Sequence, residues 1–153
     1  MLKLDAIDKL IVDILQTNGR ISSAEIAKRL PNVSERAVRY RINRLIDEKV
    51  IHIGAVVSPI ALGYDVIADV FIEVEPGTVF DVAHDIIEYE SVSYVACSTG
   101  ERDISVQIVA HNNAELYQFV TDVIGKIPGV RRTTTSIAHV FLKDVYKWRI
   151  PND

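Results

Sequence analysis

The sequence predicts an α+β protein in which an N-terminal winged helix-turn-helix domain precedes a ferredoxin-like domain with the element order βαββαβ. Three observations lead to this prediction. Apolar residues recur at helical spacing in three short segments within the first 50 residues. Strand-like and helix-like segments then alternate along the rest of the chain. The sign of the net charge also changes between these two parts.

Charge is unevenly distributed over the 153 residues, whose formal net charge is −4. Residues 1–60 contain ten basic and seven acidic side chains, whereas residues 61–153 contain seven basic and fourteen acidic ones. A basic front and an acidic rear indicate two domains with different partners. The predicted division is a helix-turn-helix domain (1–50), a wing strand with linker (51–65), a ferredoxin-like domain (66–145) and a tail (146–153).

Capping residues mark the starts of the three predicted helices. A short polar side chain can accept a hydrogen bond from the free N–H groups of a first turn, which suits Asp5 to the first helix and Ser22 or Ser23 to the second. Ser34 is placed to cap the third helix in the same way. The segment Val50 to Val57 then changes to a strand-like pattern, which predicts the wing.

The third helix has an apolar face for packing and a polar face that is rich in arginine. Guanidinium groups can fork onto phosphates or guanine edges, so this face suits double-stranded DNA, although a solvated surface helix is the structural alternative. The base-edge candidates are Arg36, Arg39 and Tyr40, the phosphate candidates are Arg41, Arg44, Lys28 and Arg29, and Ser34 and Glu35 complete the predicted DNA-binding set. Arg41 could instead tie the helix to Glu48 or to the wing.

The second domain is predicted from four strand patterns and two helix patterns. The strands are expected at 67–74, 92–98, 104–110 and 130–145, with helices capped by Thr78 and by Asn112 or Asn113. This order places both helices on one face of an antiparallel sheet. Both faces of the sheet are interpreted as apolar, one through Val70, Ile72 and Val74 and the other through the residues between them. Two apolar faces predict a homodimer whose sheets pack face to face.

Taken together and in this order, these segments resemble the leucine-responsive regulatory protein/AsnC family of transcription regulators over nearly the whole chain. The resemblance rests on Leu4 to Ile11, Glu25 to Ala27, Val38 to Leu45, Val50-Ile51, Ser58-Pro59, Leu62 to Tyr64, Thr99 to Asp103 and Ile127 to Val130. No single segment is specific, but the combination is. The turn Leu30 to Ser34 has one residue more than the usual family pattern and lacks its glycine.

The resemblance implies a dimeric and often octameric DNA-binding regulator that binds an amino acid or related effector between dimers through a RAM-type second domain. Gly100 to Asp103 are predicted to form the hairpin turn between the strands 92–98 and 104–110. Such a turn favours glycine and aspartate for backbone reasons alone. In the functional interpretation, Gly100 lets a carboxylate approach the backbone and Asp103 pairs with an ammonium group. Arg102 occupies the place of a common aromatic residue. The predicted effector-binding set is Thr99, Gly100, Arg102, Asp103, Thr133 and Thr135.

Other classes of function would leave recognisable patterns. No apolar run approaches the ~20 residues of a membrane span, and the N-terminus is acidic, so we expect a soluble cytoplasmic protein. We also expect the protein to have no cofactor. The four histidines lack metal-ligand spacing, and Cys97 is expected in the core. Sirohaem decarboxylase subunits resemble the same layout, and an enzyme of that kind would use His111 with Arg131 or Arg132. An architectural DNA-binding protein without an effector is the other alternative.

Overall fold

The computed structural model describes residues 3–143, Trp148 and Ile150. The chain divides into an N-terminal unit, Met1–Val56 with Lys143–Asp153, and a C-terminal unit, Val57–Leu142. The elements are α1 (Ala6–Thr17), α2 (Ser23–Arg29), α3 (Glu35–Asp47), β1 (Val66–Val74), α4 (Val79–Ile87), β2 (Val92–Cys97), β3 (Ile104–Ala110), α5 (Asn113–Gln118) and β4 (Val130–Ile137). Within the described residues, no helix combines the length and apolarity needed to cross a bilayer.

The first three helices begin where the caps were predicted. Asp5 forms a capping box with Asp8, in which each carboxylate accepts from the other residue's backbone N–H at 2.8 and 3.1 Å. Ser22 caps α2 by accepting from the Glu25 N–H at 3.2 Å. The helices close over a small core of apolar side chains, the most buried of which are Ile11, Ile26, Leu30 and Val38.

In the turn between α2 and α3, an asparagine takes the place of the missing glycine. Asn32 has a φ of +57°, in the left-handed region that glycine usually occupies. Asparagine tolerates this conformation better than most residues because its short side chain can hydrogen-bond locally. The longer turn therefore still reverses the chain and delivers Ser34 to the start of α3.

The C-terminal unit is a four-stranded sheet in the order β2-β3-β1-β4, with every neighbouring pair antiparallel. Both helices pack on one face, as predicted, because alternate residues of β1 and β3 form a buried cluster with residues of α4 and α5. The fully buried members include Val70, Ile72, Val82, Ile86, Ile104 and Ile124.

The other face of the sheet is mixed rather than apolar, which corrects the prediction of two apolar faces. Asp69 and Phe71 point away from the core because side chains alternate along β1. Asp69 Oδ1 accepts from Gln107 Nε2 at 3.2 Å, and Glu73 lies 3.9 Å from Arg132. Polar pairs of this kind do not supply the hydrophobic surface on which the face-to-face dimer prediction depended.

The predicted wing is absent from the described chain. Residues 51–58 form no strand there, since no neighbouring segment of the same chain pairs with them. Strand β4 is also shorter than predicted: its last backbone bond to β1 is from the Ala138 N–H to the Ile67 carbonyl at 2.9 Å, and β1 itself begins at Val66. The predicted strand end at 144–145 and most of the predicted tail lie outside the described residues. Trp148 is described, and its carbonyl accepts from Gln16 Nε2 at 2.5 Å.

Two further details of the C-terminal unit differ from the expectations. Thr78 precedes α4 but makes no side-chain cap, because its hydroxyl donates to the Glu75 carbonyl at 2.9 Å. Cys97 is exposed rather than in the core, because it ends the edge strand β2. Asn112 does cap α5 by accepting from the Glu115 N–H at 2.9 Å, and the helical path continues through a π turn, Phe119–Val123.

Candidate DNA-binding helix and effector cleft

The outward face of α3 presents the predicted base-edge candidates to solvent. Arg36, Arg39 and Tyr40 are exposed, Tyr40 to 68%. Glu35 Oε1 accepts from Arg39 Nη2 at 2.5 Å, four residues along the helix. An exposed pair of this kind contributes little free energy, so a DNA phosphate or base can replace the glutamate at small cost. This face of α3 is therefore available to bind a polyanion.

Arg41 and Arg44 hold α3 against α1. Asp8 is only 1% exposed, and its two carboxylate oxygens accept from Arg41 Nη1 at 2.7 Å and from Arg44 Nη2 at 2.6 Å. Arg41 Nη1 also donates to Asp5 at 2.7 Å. We call these four residues the α1–α3 clamp. Both arginines thus have a structural contact, while the phosphate role predicted for them stays a prediction. Arg41 is tied to Asp5 and Asp8 and not to the suggested Glu48.

Hydrogen bonds within the α1–α3 clamp shift the pKa values of Asp5 and Arg41. The backbone N–H of Asp8 and then the Arg41 side chain hold the pKa of Asp5 below its ordinary value, because both stabilise the carboxylate. The Asp5 and Asp8 carboxylates raise the pKa of Arg41. Arg44 Nε is buried without a hydrogen-bond partner in the described structure. The arginines are therefore fixed beneath the helix, directed away from its exposed face.

Helix α2 contributes the remaining basic candidates of the N-terminal unit. Lys28 and Arg29 are exposed in its last turn. Lys28 Nζ lies 3.6 Å from Glu25, which is a loose surface pair. Their predicted phosphate contacts stay predictions. Ser34 Oγ accepts from the Ala37 N–H at 3.2 Å, so its assigned cap is confirmed, and any DNA contact would have to share that oxygen.

The C-terminal unit has an open cleft of about 410 Å³ beside the β2–β3 hairpin. The Arg102 guanidinium lies over the Phe71 ring, with 4.0 Å between its central carbon and the ring centroid. A cation in this position is attracted by the negative face of the ring. The cleft is lined by Phe71, Ser98, Thr99, Glu101, Arg102 and Ser105. Two of the predicted effector residues, Thr99 and Arg102, thus meet here, and Glu101 was missed by the sequence analysis.

Asp103 secures the hairpin to the neighbouring strand. Its Oδ2 accepts from the Val74 N–H at 2.9 Å, and its own N–H donates to the Ile72 carbonyl at 3.0 Å. The backbone interpretation of this aspartate therefore has direct support, whereas Glu101 is part of the cleft lining. Gly100 has a φ of +134°, and no atom lies within 4 Å of the position that a Cβ would occupy. The backbone at Gly100 is consequently open to a ligand.

Thr133 and Thr135 lie on the opposite face of the sheet from the cleft. Thr133 is the cross-strand partner of the buried Ile72, and cross-strand partners share a face. Thr135 follows on the same face because side chains alternate. Thr134, the partner of Phe71, is on the cleft side instead. Thr133 and Thr135 therefore do not share the cleft with Thr99 and Arg102, and their predicted effector role stays a prediction. Their direction depends on the register between β1 and β4, which the sequence alone does not give.

The His111 side chain contacts Glu115 and Tyr64. Its Nδ1 lies 2.9 Å from Glu115 Oε2, and its ring centroid is 4.2 Å from that of Tyr64. The hydrogen bonds from the His111 side chain and backbone hold the pKa of Glu115 below its ordinary value. This arrangement ties the start of α5 to the preceding strand.

The residues of the enzymatic alternative are not brought together. The residue before His111 pairs with Val66 at the start of β1, whereas Arg132 pairs with Glu73 near its end, and Arg131 precedes it. These positions are roughly 20 Å apart along the sheet at ~3.3 Å per residue. Among the described residues, no three His, Cys, Asp or Glu side chains are grouped closely enough to hold a metal ion.

Comparison with known proteins agrees with both units. Residues 4–46 match the AsnC-type helix-turn-helix domain, and residues 67–146 match the Lrp/AsnC ligand binding domain. The HTH-type transcriptional regulator FL11 of Pyrococcus abyssi is 40% identical over 135 residues, which cover 88% of each chain.

Solved structures show the same fold. The structure of E. coli AsnC superposes with a TM-score of 0.84 at 23% identity, covering 97% of this chain and 99% of that one. A transcriptional regulator of Neisseria meningitidis, solved as a complex with L-Met, gives 0.81 at 23% identity and covers 93% and 94%. Because the two family domains agree with a relative that is 40% identical over 88% of each chain, the chain belongs to the Lrp/AsnC family of helix-turn-helix transcription regulators.

Proposed function

We propose that this regulator reads specific DNA through the exposed face of α3, assembles as a homodimer or larger oligomer in the cytoplasm, and changes its assembly when an amino acid binds. The observation that supports this most directly is that some basic residues of α3 hold the helix in place while others stay exposed. The α1–α3 clamp fixes the helix from behind with Arg41 and Arg44, while Arg36, Arg39 and Tyr40 stay exposed. A rigidly held helix with forked donors outward suits base-edge recognition in a major groove.

Replacing Arg39 by alanine should weaken binding to a selected DNA site by about 1–3 kcal/mol, because a bidentate base contact is lost. The site is first obtained by selection from genomic fragments, and affinities are then measured on that site and on random DNA. Lys126→Ala is the matched control, since Lys126 is also an exposed cation paired four residues away, with Asp122, but lies in the C-terminal unit.

The two DNA substrates separate the possible outcomes for Arg39. A loss confined to the selected site supports base contact. An equal loss on random DNA would assign Arg39 to the phosphate class, which lowers affinity without sequence preference. Unchanged affinity on both would contradict the assignment of α3 as the recognition helix.

Dimerisation is supported by residues 51–58 and by the short 3-10 turn Ile60–Leu62 that follows them. Residues 51–58 have no partner strand in the described chain, and large apolar side chains are exposed both in this segment and in the turn. Val56 and Val57 are 64% and 66% exposed, and Ile60 and Leu62 are 61% and 64% exposed. Exposed apolar side chains that lie close together along an unpaired segment mark a surface for a partner chain. A second copy of this protein is the occupant that we propose.

The substitution Val57→Asp should shift the full-length protein from dimer towards monomer in sedimentation velocity at micromolar concentration, because a carboxylate would be buried without a partner. Phe80→Asp is the control, since Phe80 is 71% exposed on α4. A dimer that withstands Val57→Asp as well as Phe80→Asp would place the interface elsewhere.

The effector is proposed to bind in the cleft beside the β2–β3 hairpin. The Neisseria meningitidis neighbour was solved with an amino acid, and the cleft here combines charged and hydroxyl groups. The open backbone of Gly100 lies between two of the lining residues, Thr99 and Glu101, in the sequence. A ligand shifts an assembly equilibrium only through its different affinities for the two states, so it would act on DNA by changing which oligomer is populated. Calorimetric titration with the twenty amino acids, paired with DNA binding in their presence, tests this role.

A further inference from the structure

The charge arrangement in the cleft points to the chemical class of the effector. Arg102 is exposed, and no carboxylate in the described part of the chain pairs with it. Contact with the Phe71 ring restricts the movement of the guanidinium, so part of the entropy cost of forming a forked hydrogen bond is already met. An oriented and unpaired guanidinium is a receptor for a carboxylate.

The rest of the cleft provides the complementary groups. Glu101 supplies one carboxylate, and Ser98, Thr99 and Ser105 supply hydroxyls. Asp103 is not equivalent to Glu101, since it already accepts from the backbone of β1. The aromatic surface of the cleft is the Phe71 ring, and Arg102 covers it. A large aliphatic side chain would therefore have to displace a cation to reach apolar surface.

We infer that the effector is an amino acid with an acidic side chain, aspartate or glutamate, and that Arg102 binds its side-chain carboxylate. Glu101 pairs with the α-ammonium, and the α-carboxylate approaches the open backbone of Gly100, which lies between the lining residues Thr99 and Glu101 in the sequence. An effector with a cationic side chain is repelled by Arg102. This inference rests on the proposed function, because it names the ligand of the same cleft.

The experiment is calorimetry on the full chain with L-glutamate, L-aspartate, L-glutamine, L-asparagine and L-lysine. An acidic amino acid should bind more tightly than its amide, and Arg102→Gln should weaken that binding roughly 10- to 100-fold, as expected for a lost charge-assisted hydrogen bond. Binding of the amides should change little. Arg132→Gln is the control, since Arg132 is likewise exposed but lies on β4 and outside the cleft lining.

A charge reversal gives a second, independent readout. Arg102→Glu should reject both acidic amino acids and improve the affinity for L-lysine. Tighter binding of a neutral or basic amino acid by the parent protein, or equal affinity of the parent and Arg102→Gln for the acidic ones, would overturn the inference and leave the proposed effector response standing. Failure of every amino acid to bind would overturn both, and would favour an effector-independent regulator.

Discussion

Replacing Asp8 by alanine should lower the free energy of unfolding of the N-terminal unit by about 2–3 kcal/mol, because the partly buried Arg44 loses its carboxylate partner and Arg41 keeps only Asp5. Asp8 is 1% exposed and accepts from both Arg41 and Arg44. Urea unfolding followed by the fluorescence of Trp148, the single tryptophan, measures the effect. Asp13→Ala, which removes an exposed carboxylate from the same helix, is the control and should change stability by less than about 0.5 kcal/mol.

Replacing Asp8 by alanine should also weaken DNA binding, because the α1–α3 clamp fixes the position of α3. Without the α1–α3 clamp the recognition helix loses its fixed angle, so specific affinity falls even where the protein remains folded. The triple variant with Asp8→Leu, Arg41→Met and Arg44→Met should regain stability, because an apolar cluster can replace a buried ion network. If it also regains most of the specific affinity with an unchanged salt dependence, the arginines act by positioning. A salt slope smaller by about one for each arginine would instead identify phosphate contacts.

The substitution Gly129→Ala should destabilise the C-terminal unit by about 2–5 kcal/mol, the combined cost of a left-handed alanine and of overpacking. Gly129 has a φ of +95°, and an added Cβ would lie 2.6 Å from the hydroxyl oxygen of Thr78 and 2.9 Å from its Cβ. Thermal unfolding of the full chain followed by far-ultraviolet circular dichroism measures the loss.

A second glycine separates the two contributions. Gly77 has a φ of +91°, and no atom lies within 4 Å of the place that an added Cβ would take, so Gly77→Ala should show the backbone strain alone, about 1–2 kcal/mol. Combining Gly129→Ala with Thr78→Gly should recover part of the difference. Equal losses for the two alanine variants would show that the Thr78 side chain moves aside freely.

Local features of this fold could be predicted from sequence because their causes are local. The caps act within three residues of themselves: Asp5 and Ser34 were placed correctly, and Ser22 and Asn112 were each one of two adjacent candidates. The strand predicted at 104–110 coincides with β3. Such features depend on backbone geometry and on the spacing of neighbouring side chains.

Features that depend on distant partners could not be predicted. The contacts of Arg41 and Arg44 with Asp8 could not be seen because Asp8 lies 33 and 36 positions earlier in the sequence. The face of the sheet to which Thr133 belongs could not be assigned because it follows from the pairing of β4 with β1. A one-residue change of register reverses every side chain, so composition and alternation do not fix which face is which.

The exposure of Cys97 has a practical consequence for studying this regulator. It is the single cysteine, so a thiol-reactive dye would label each copy at one place, next to Ser98 of the cleft lining. Changes in the fluorescence of that dye would then report occupancy of the cleft directly, without relying on DNA. A disulfide, if air oxidation produced one, would have to join two copies, so a non-reducing gel would report the proximity of their β2 edges.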